Sequence, residues 1–358
     1  MGAKGANAAE NLLGVTLKGR WKILERVDHG DEHTGSTFSV GYRAEDLNKR
    51  GETVFIKVLN LGKILQYTPP AEFISEMARC STKFAYEQKI LTKCKSKQMQ
   101  HVVLPIDDGA ERIAGYEPLD VVSYIVFPLA DGGDVRKLIE IGDDLDVAWA
   151  LRSLHQSAVG LHELHTAGIA HRDVKPSNVM VFDKENKLCR LGDLGSATAQ
   201  ETPAPDDQTH GSILYSAPEI RYGHTGLDWK QGKIAGDMYM FGGLMMSMLF
   251  SLSVNAGIAE RLAPAHKFGV WAGTFNELIP YLEKAHAQFM SELNEAASSR
   301  YGRLSIELCS IIHELCYPDP VNRGDSSHPA GNRYSMERYI SRLDHLAKIA
   351  EFEVGRQV

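Results

Sequence analysis

The chain has 358 residues, 43% of them hydrophobic and 24% charged, which is enough apolar material for a sizeable core or for two lobes. Its net charge of −7 gives no general attraction to nucleic acid or to an anionic membrane surface. The five cysteines are scattered without metal-ligand spacing, and their odd number argues against a disulfide framework. We therefore expect free thiols, a cytoplasmic location, no membrane anchor and no nucleic-acid partner.

The N-terminal third of the chain has the pattern of a small sheet with one helix. Residues 1–18 lack hydrophobic periodicity and are expected to form a mobile tail. From Trp21 to Val58, three β-rich runs alternate with turn signals, which predicts three antiparallel strands. A helix is expected from about Ala71 to Cys94, and two further strands around Val102–Ile106 and Val121–Phe127. Together they predict a five-stranded antiparallel sheet with one main helix.

The rest of the chain has a helical pattern. Helices are predicted over Asp134–Ile141, Val147–His165 and Ala235–Leu252, followed by three or more to the end. The most apolar run, Met238–Val254, is short for a membrane span and contains glycines and serines, so we expect a buried core helix. The sequence thus predicts an α+β fold with a small lobe at residues 19–127 and a large, mostly helical lobe at residues 128–358.

One motif carries most of the functional information. The run HRDVKPSN, which begins at His171, is followed by a DLG triplet. An aspartate such as Asp173 can accept the proton of an attacking hydroxyl, and Lys175 can neutralise a moving phosphoryl group. Asn178 and Asp193 have the oxygen ligands that can hold Mg²⁺ against nucleotide phosphates. A lone charged residue of this kind is usually a solvated loop residue. Here several residues with the chemistry of phosphoryl transfer occur together, which argues against that interpretation.

With these motifs in this order, the sequence resembles the eukaryotic-type Ser/Thr protein kinase family from about Trp21 to about Ala350. The resemblance implies a bilobal protein kinase-like fold and an enzyme that transfers the ATP γ-phosphate, with Mg²⁺, to Ser or Thr hydroxyls of protein substrates. Lys57 resembles the strand lysine that contacts the α- and β-phosphates. Glu87 is the preferred helix partner of that lysine, and Glu76 is the alternative.

The resemblance also implies an adenine-binding segment after the last predicted strand. Phe127 would be the gatekeeper, and the carbonyl of Pro128 would accept from the adenine amino group. The N–H of Ala130 would donate to the adenine ring, and Asp134 would bind the ribose hydroxyls or a basic residue of the substrate. Proline suits its position because only its carbonyl is needed there.

Two features depart from the family pattern. The glycine-rich loop is irregular, and we expect backbone N–H groups at Gly30 or Gly35 to cradle phosphate. Above the adenine, Gly41 and Phe55 stand where the family has Val and Ala. We hypothesise that this exchange of volume between neighbours preserves ATP binding.

An activation segment is implied between the DLG triplet and the Ala-Pro-Glu triplet that ends at Glu219. Within it, Thr209 or Thr202 is the expected phosphate acceptor, Ser212 is a further candidate, and Arg172 would bind the added phosphate. Autophosphorylation is the expected source of that phosphate.

The resemblance further predicts an ion pair of Glu219 with Arg323 and an anchoring role for Asp237 beneath the catalytic loop. Two alternative functions remain open. A pseudokinase that binds nucleotide as a scaffold is motivated by the irregular glycine-rich loop and by Phe55. A small-molecule kinase is less favoured, because such enzymes lack the substrate platform that ends at Glu219.

Overall fold

The computed structural model describes residues 7–27, 38–69, 71–117, 119–140, 146–185, 188–205, 211–327 and 332–354. The described residues fall into two units. The first unit extends to Asp131 and includes Ala204 and Pro205, and the second begins at Gly132 and contains the remaining residues. The boundary predicted from the sequence, after residue 127, lies slightly earlier in the chain.

Among the described residues of the first unit, six antiparallel strands form the sheet, in the order β1-β2-β3-β4-β6-β5. The strands are β1 (Thr16–Leu17), β2 (Trp21–Val27), β3 (Ser39–Asp46), β4 (Thr53–Leu59), β5 (Asp107–Arg112) and β6 (Val121–Pro128). The strand predicted at Val102–Ile106 is wrong. Val102 and Val103 are buried as packing residues, whereas the edge strand that follows them is polar and has no hydrophobic pattern to reveal it.

The two faces of β4 have different roles, because one packs in the hydrophobic core and the other carries candidate site residues. Val54, Ile56 and Val58 are buried in the hydrophobic cluster of the first unit. Phe55 and Lys57 therefore lie on the opposite face of the sheet, because successive side chains of a strand point to opposite sides.

The N-terminal tail was predicted wrongly for the residues that the structure describes. A 3-10 helix at Ala8–Glu10 begins a segment whose apolar residues enter the core of the first unit. Leu12 and Leu17 are fully buried. Spaced apolar residues can pack against a sheet without the periodicity of a helix or strand, which explains the error.

The described part of the first unit also contains two α-helices, α1 (Leu61–Tyr67) and α2 (Phe73–Ser96). The prediction for α2 is confirmed within two residues at each end, whereas α1 was not predicted. The side chain of Asn60 caps α1 by accepting from the backbone N–H of Lys63 at 3.1 Å.

The second unit is mostly helical, as predicted. Its helices are α3 (Val135–Glu140), α4 (Val147–Thr166), α5 (Pro218–Arg221), α6 (Ala235–Phe250), α7 (Val254–Arg261), α8 (Phe275–Tyr301), α9 (Ser305–Leu315) and α10 (Glu337–Val354). Two short antiparallel ladders join β7 (Ile169–Ala170) to β10 (Thr198–Ala199) and β8 (Val179–Asp183) to β9 (Leu188–Leu191).

Helix α6 forms the centre of the second unit. Nearly all of its residues are buried in one large hydrophobic cluster, which confirms the prediction of a core helix. Among the described residues, no single helix is long and apolar enough to cross a membrane. The bent pair Lys230–Phe250 and Val254–Arg261 passes that test by length and composition only.

Candidate active site

In the first unit, Lys57 and Glu87 form the predicted pair. The Nζ of Lys57, on β4, lies 2.8 Å from Oε1 and 3.0 Å from Oε2 of Glu87, on α2. Only 5% of the Glu87 side chain is exposed, so the ion pair is largely shielded from water. The alternative partner, Glu76, instead binds Arg79 one turn along α2, and this hydrogen bond lowers the pKa of the Glu76 carboxyl.

Three predicted adenine-site residues share the face of the sheet that carries Lys57. Gly41 lies directly opposite Lys57 in the β3–β4 ladder, and Phe127 lies directly opposite Phe55 in the β4–β6 ladder. Gly41 and Phe55 are therefore diagonal neighbours, within reach of a large side chain. The hypothesis that the phenyl ring fills the volume left open by the glycine requires the two residues to be neighbours on one face, and they are.

The remaining residues predicted to contact adenine and ribose lie near the end of β6. Pro128 closes the β4–β6 ladder opposite Val54, and Ala130 follows the strand. In the second unit, the carboxylate of Asp134 accepts from the backbone N–H of Lys137 at 3.4 Å. It also lies 3.6 Å from the guanidinium of Arg136, so Asp134 stabilises the start of α3.

In the second unit, the carboxylate of Asp173 is the centre of a buried hydrogen-bond network. Its Oδ2 accepts from Lys175 Nζ at 2.7 Å and from Asn178 Nδ2 at 3.1 Å. Its Oδ1 accepts from the backbone N–H of Ser212 at 2.7 Å. Asp173, Lys175 and Asn178 are each 4% exposed or less. The network fixes the position of the carboxylate and leaves Oδ1 with fewer donors than Oδ2.

Asp237 holds the backbone before Asp173 from within α6. Its two oxygens accept from the backbone N–H groups of His171 and Arg172, each at 2.7 Å, and Oδ2 also lies 2.9 Å from Nε2 of His165. Burial alone would raise the pKa of Asp237, but these partners hold the pKa below its ordinary value. The predicted anchoring contact is confirmed. Arg172 has a positive φ of 65°, an unfavourable conformation that these bonds stabilise.

The tautomer of His171 follows from its two contacts. Its Nδ1 accepts from the backbone N–H of Asp173 at 3.3 Å, so the ring hydrogen belongs on Nε2. This Nε2–H donates to the carbonyl of Gly192 at 3.1 Å. His171 thereby links the segment that carries Asp173 to the residue immediately before Asp193.

Asn178 and Asp193, the predicted metal ligands, are joined through the backbone. The N–H of Gly192 donates to the carbonyl of Asn178 at 2.8 Å. Asn178 turns its amide nitrogen toward Asp173, so its amide oxygen points the other way. Asp193 has a left-handed backbone with φ of 54° and caps a 3-10 helix at Leu194–Ser196. One amide oxygen and one carboxylate suit Mg²⁺, which usually takes its remaining ligands from water and phosphates.

Metal binding elsewhere has no support in the described part of the chain. There, His, Cys, Asp and Glu side chains form no group of three that could hold a metal ion. His165 and His171 are engaged in the hydrogen bonds described above.

The platform between residues 211 and 219 is held against this network. A Cβ atom on Gly211 would lie 2.5 Å from both Cβ and Cγ of Asp173, so only glycine fits there. Asn255 supports the next residues, because its Nδ2 donates to the carbonyls of Leu214 at 2.7 Å and Ser216 at 3.0 Å. The roles of Gly211 and Asn255 were not predicted from the sequence, because neither contact follows a local spacing rule.

The predicted pair of Glu219 and Arg323 is confirmed as a buried, bidentate ion pair. Nη1 and Nη2 of Arg323 donate to the two carboxylate oxygens at 2.7 and 2.8 Å. The other three N–H groups donate to the carbonyls of Tyr317, Pro318 and Ala235, so all five donors of the guanidinium are used. The end of the platform is thus fixed to the segment between α9 and α10.

The other predicted phosphate contacts and acceptors are only partly described. Gly30, Gly35 and Thr209 lie outside the described residues. Thr202 is exposed, and Ser212 is half-buried and donates its backbone N–H to Asp173.

Comparison with known proteins places this geometry in a family. A model of the protein kinase domain matches residues 37–328, which is well over half of the chain. The chain is 34% identical to the serine/threonine-protein kinase SBK1 of Danio rerio over 132 residues, which cover 35% of this chain and 32% of that protein. It is 28% identical to the serine/threonine-protein kinase PknA of Mycobacterium tuberculosis over 233 residues, which cover 64% of this chain and 46% of that protein.

A second bacterial relative matches a similar length. The probable serine/threonine-protein kinase pknA2 of Bifidobacterium longum is 25% identical over 241 residues, which cover 67% of this chain and 28% of that protein. The chain thus spans less than half of the length of each of these three relatives. The extent of the domain match is decisive, and the chain belongs to the protein kinase domain family.

Proposed function

We propose that this chain is a Ser/Thr protein kinase that transfers the γ-phosphate of ATP to Ser or Thr hydroxyls of protein substrates. The observation that carries the proposal is the buried carboxylate of Asp173, which is held by Lys175, Asn178 and the backbone of Ser212. A base in such a network is oriented before the substrate arrives, so no reorganisation is needed during the reaction. The names of the relatives support the preference for Ser and Thr.

In this mechanism, Oδ1 of Asp173 accepts the proton of the substrate hydroxyl. Oδ2 already accepts from two side-chain donors, whereas Oδ1 accepts one backbone N–H and has room for a second donor. The ammonium group of Lys175 lies 2.7 Å from Oδ2, where it supplies positive charge as the phosphoryl group moves.

ATP with bound Mg²⁺ supplies the phosphoryl group and the metal charge that neutralises it. Asn178 and Asp193 would ligate the metal, and Lys57, oriented by Glu87, would bind the nucleotide phosphates. Gly41, Phe55 and Phe127 would line the adenine site.

We further propose that the activation segment is phosphorylated at Thr202 or Thr209, with Ser212 as a third candidate. Thr202 is exposed, as an acceptor must be, whereas Thr198 is fully buried in β10. Arg172 would receive the added charge. A reducing compartment such as the cytoplasm suits the five cysteines, all of which are buried as thiols.

The test is transfer of labelled phosphate from Mg-ATP to the protein itself and to generic basic protein substrates. Asp173→Asn keeps the shape of the side chain and removes the base. Glu185→Gln makes the same change of charge at an exposed position and serves as the control. We expect transfer by the parent and by Glu185→Gln, on Ser or Thr, and a loss of at least about 100-fold in Asp173→Asn. Equal transfer by the two variants would refute the role of Asp173. ATP binding without any transfer would favour the nucleotide-binding scaffold.

A further inference from the structure

The N-terminal segment of residues 7–17, called the strap below, is built into the first unit. Ala8 and Leu12 are fully buried in the cluster that also contains the core side chains of β4. The hydroxyl of Tyr42, on β3, donates to the carbonyl of Ala9 at 2.7 Å. The N–H of Ala8 donates to the carbonyl of Leu119 at 3.3 Å. The strap is therefore attached to the sheet at several points.

The strap also binds Asn60, a fully buried residue just beyond β4. Nδ2 of Asn7 donates to Oδ1 of Asn60, and Nδ2 of Asn60 donates to Oε1 of Glu10 at 2.9 Å. The same Oδ1 caps α1 through the N–H of Lys63. Both polar atoms of this buried amide therefore have partners. Oδ1 accepts from the strap and from α1, and Nδ2 donates to the strap.

In the chain, Asn60 lies between Lys57 and Glu87, the candidate nucleotide-binding pair. Along the chain it follows Lys57 by three residues, at the end of the strand that carries this lysine. It also begins α1, and α1 contacts α2, the helix that carries Glu87. A shift of Asn60 would therefore be transmitted to Lys57 through the strand and to Glu87 through the two helices.

We propose that the strap is a positioning element for the Lys57–Glu87 pair and that it acts through Asn60. When Asn7 and Glu10 hold Asn60, the end of β4 and the start of α1 have one arrangement, and the ion pair is kept closed. Release of the strap loosens α1 and α2 and weakens nucleotide binding. The nucleotide part of this inference depends on the proposed function, whereas the structural part does not.

Gly62 provides independent support for a tightly fitted contact. A Cβ atom on Gly62 would lie 2.5 Å from Cγ of Asn7, so the strap approaches α1 more closely than any other residue type would allow. Glycine within a helix is usually unfavourable relative to alanine. Its presence in α1 is explained by the side chain of Asn7 that packs against it.

The test exchanges donor and acceptor between Asn60 and Glu10. Asn60→Asp retains the helix cap and the acceptor for Asn7, but it sets two carboxylates against each other. Adding Glu10→Gln restores a donor and an acceptor. Asp46→Asn, which weakens the bidentate contact with Arg20 elsewhere in the first unit, is the control for general destabilisation.

We expect Asn60→Asp to weaken ATP affinity about threefold to thirtyfold and to speed amide hydrogen exchange in α2. The double variant should regain both properties, and Asp46→Asn should change neither. Gly62→Ala should behave like Asn60→Asp even though alanine favours a helix. The inference is overturned if Asn60→Asp resembles Asp46→Asn, or if Glu10→Gln gives no recovery. Amide exchange requires neither nucleotide nor catalysis, so it tests the strap even if no phosphate transfer is found.

Discussion

The glycine that packs against Asp173 gives the sharpest prediction. In Gly211→Ala, the new methyl group would lie 2.5 Å from Cγ of Asp173, whereas ordinary contacts of this kind begin at 3.4 Å. The two groups must therefore separate by about 1 Å, and a displacement of that size at a reacting group can cost about 100-fold in rate. We expect kcat for phosphate transfer to fall by about that factor.

The carboxylate of Asp173 cannot move by this distance and keep its bonds of 2.7 Å to Lys175 and to the N–H of Ser212. The overall fold should survive, because overpacking typically costs about 1–3 kcal/mol of unfolding free energy. ATP affinity should change far less than kcat, since the substitution alters neither Lys57 nor Glu87 and reaches Asn178 only through Asp173.

The matched control is Gly236→Ala, in the core helix α6. There the added Cβ would meet Cδ1 of Ile220 at 3.5 Å, an ordinary contact, and the helix should be slightly stabilised. The assay is initial rates of label transfer at saturating ATP, with thermal unfolding of each variant. Equal rates for Gly211→Ala and Gly236→Ala would refute the reasoning that the close approach to Asp173 matters.

Three further predictions concern stability and nucleotide binding. Arg323→Lys should lower the unfolding free energy by about 3–5 kcal/mol, because lysine cannot supply the five donors that satisfy Glu219 and three carbonyls. Chemical denaturation measures this loss, and a loss below about 1 kcal/mol would contradict the prediction. Burial lowers the pKa of His286 from 6.5 to about 3, so the folded state binds fewer protons than the unfolded state, and the stabilisation present above pH 6.5 is lost as the pH falls. Between pH 7 and pH 5, the unfolding free energy of the parent should fall by about 2 kcal/mol because of this group. His286→Phe should lack that part of the pH dependence, and identical pH profiles for the parent and the variant would count against the prediction. Phe55→Ala should weaken ATP binding in a titration, and the addition of Gly41→Val should restore part of it, whereas unchanged affinity in both variants would eliminate the volume-exchange hypothesis.

Much of the candidate site could be predicted from the sequence, because its chemistry is encoded in short spacings. Asp173, Lys175 and Asn178 lie within one loop, so their mutual distances are limited by the chain itself. The pairs Lys57–Glu87 and Glu219–Arg323 join distant segments, and the resemblance to protein kinases predicted both.

The fold was predictable where a local run of residues marks an element. A β-rich run bounded by turn signals identified β4, and a continuous apolar run identified α6. The polar edge strand β5 was misplaced because it contributes few hydrophobic residues to the core. The strap was read as a tail for a related reason, since its buried residues have no regular period.

By itself, the sequence determined the chemical groups of the candidate site and the helices and strands that a local run of residues marks. Both depend on residues that are close together in the chain. Only the tertiary structure decided the long-range contacts that no motif predicts. Asn60 meets the strap, Gly211 approaches Asp173, and Asn255 supports the platform through such contacts. Hydrogen bonding and close packing between distant residues depend on the position of the whole backbone, and no local pattern specifies that position.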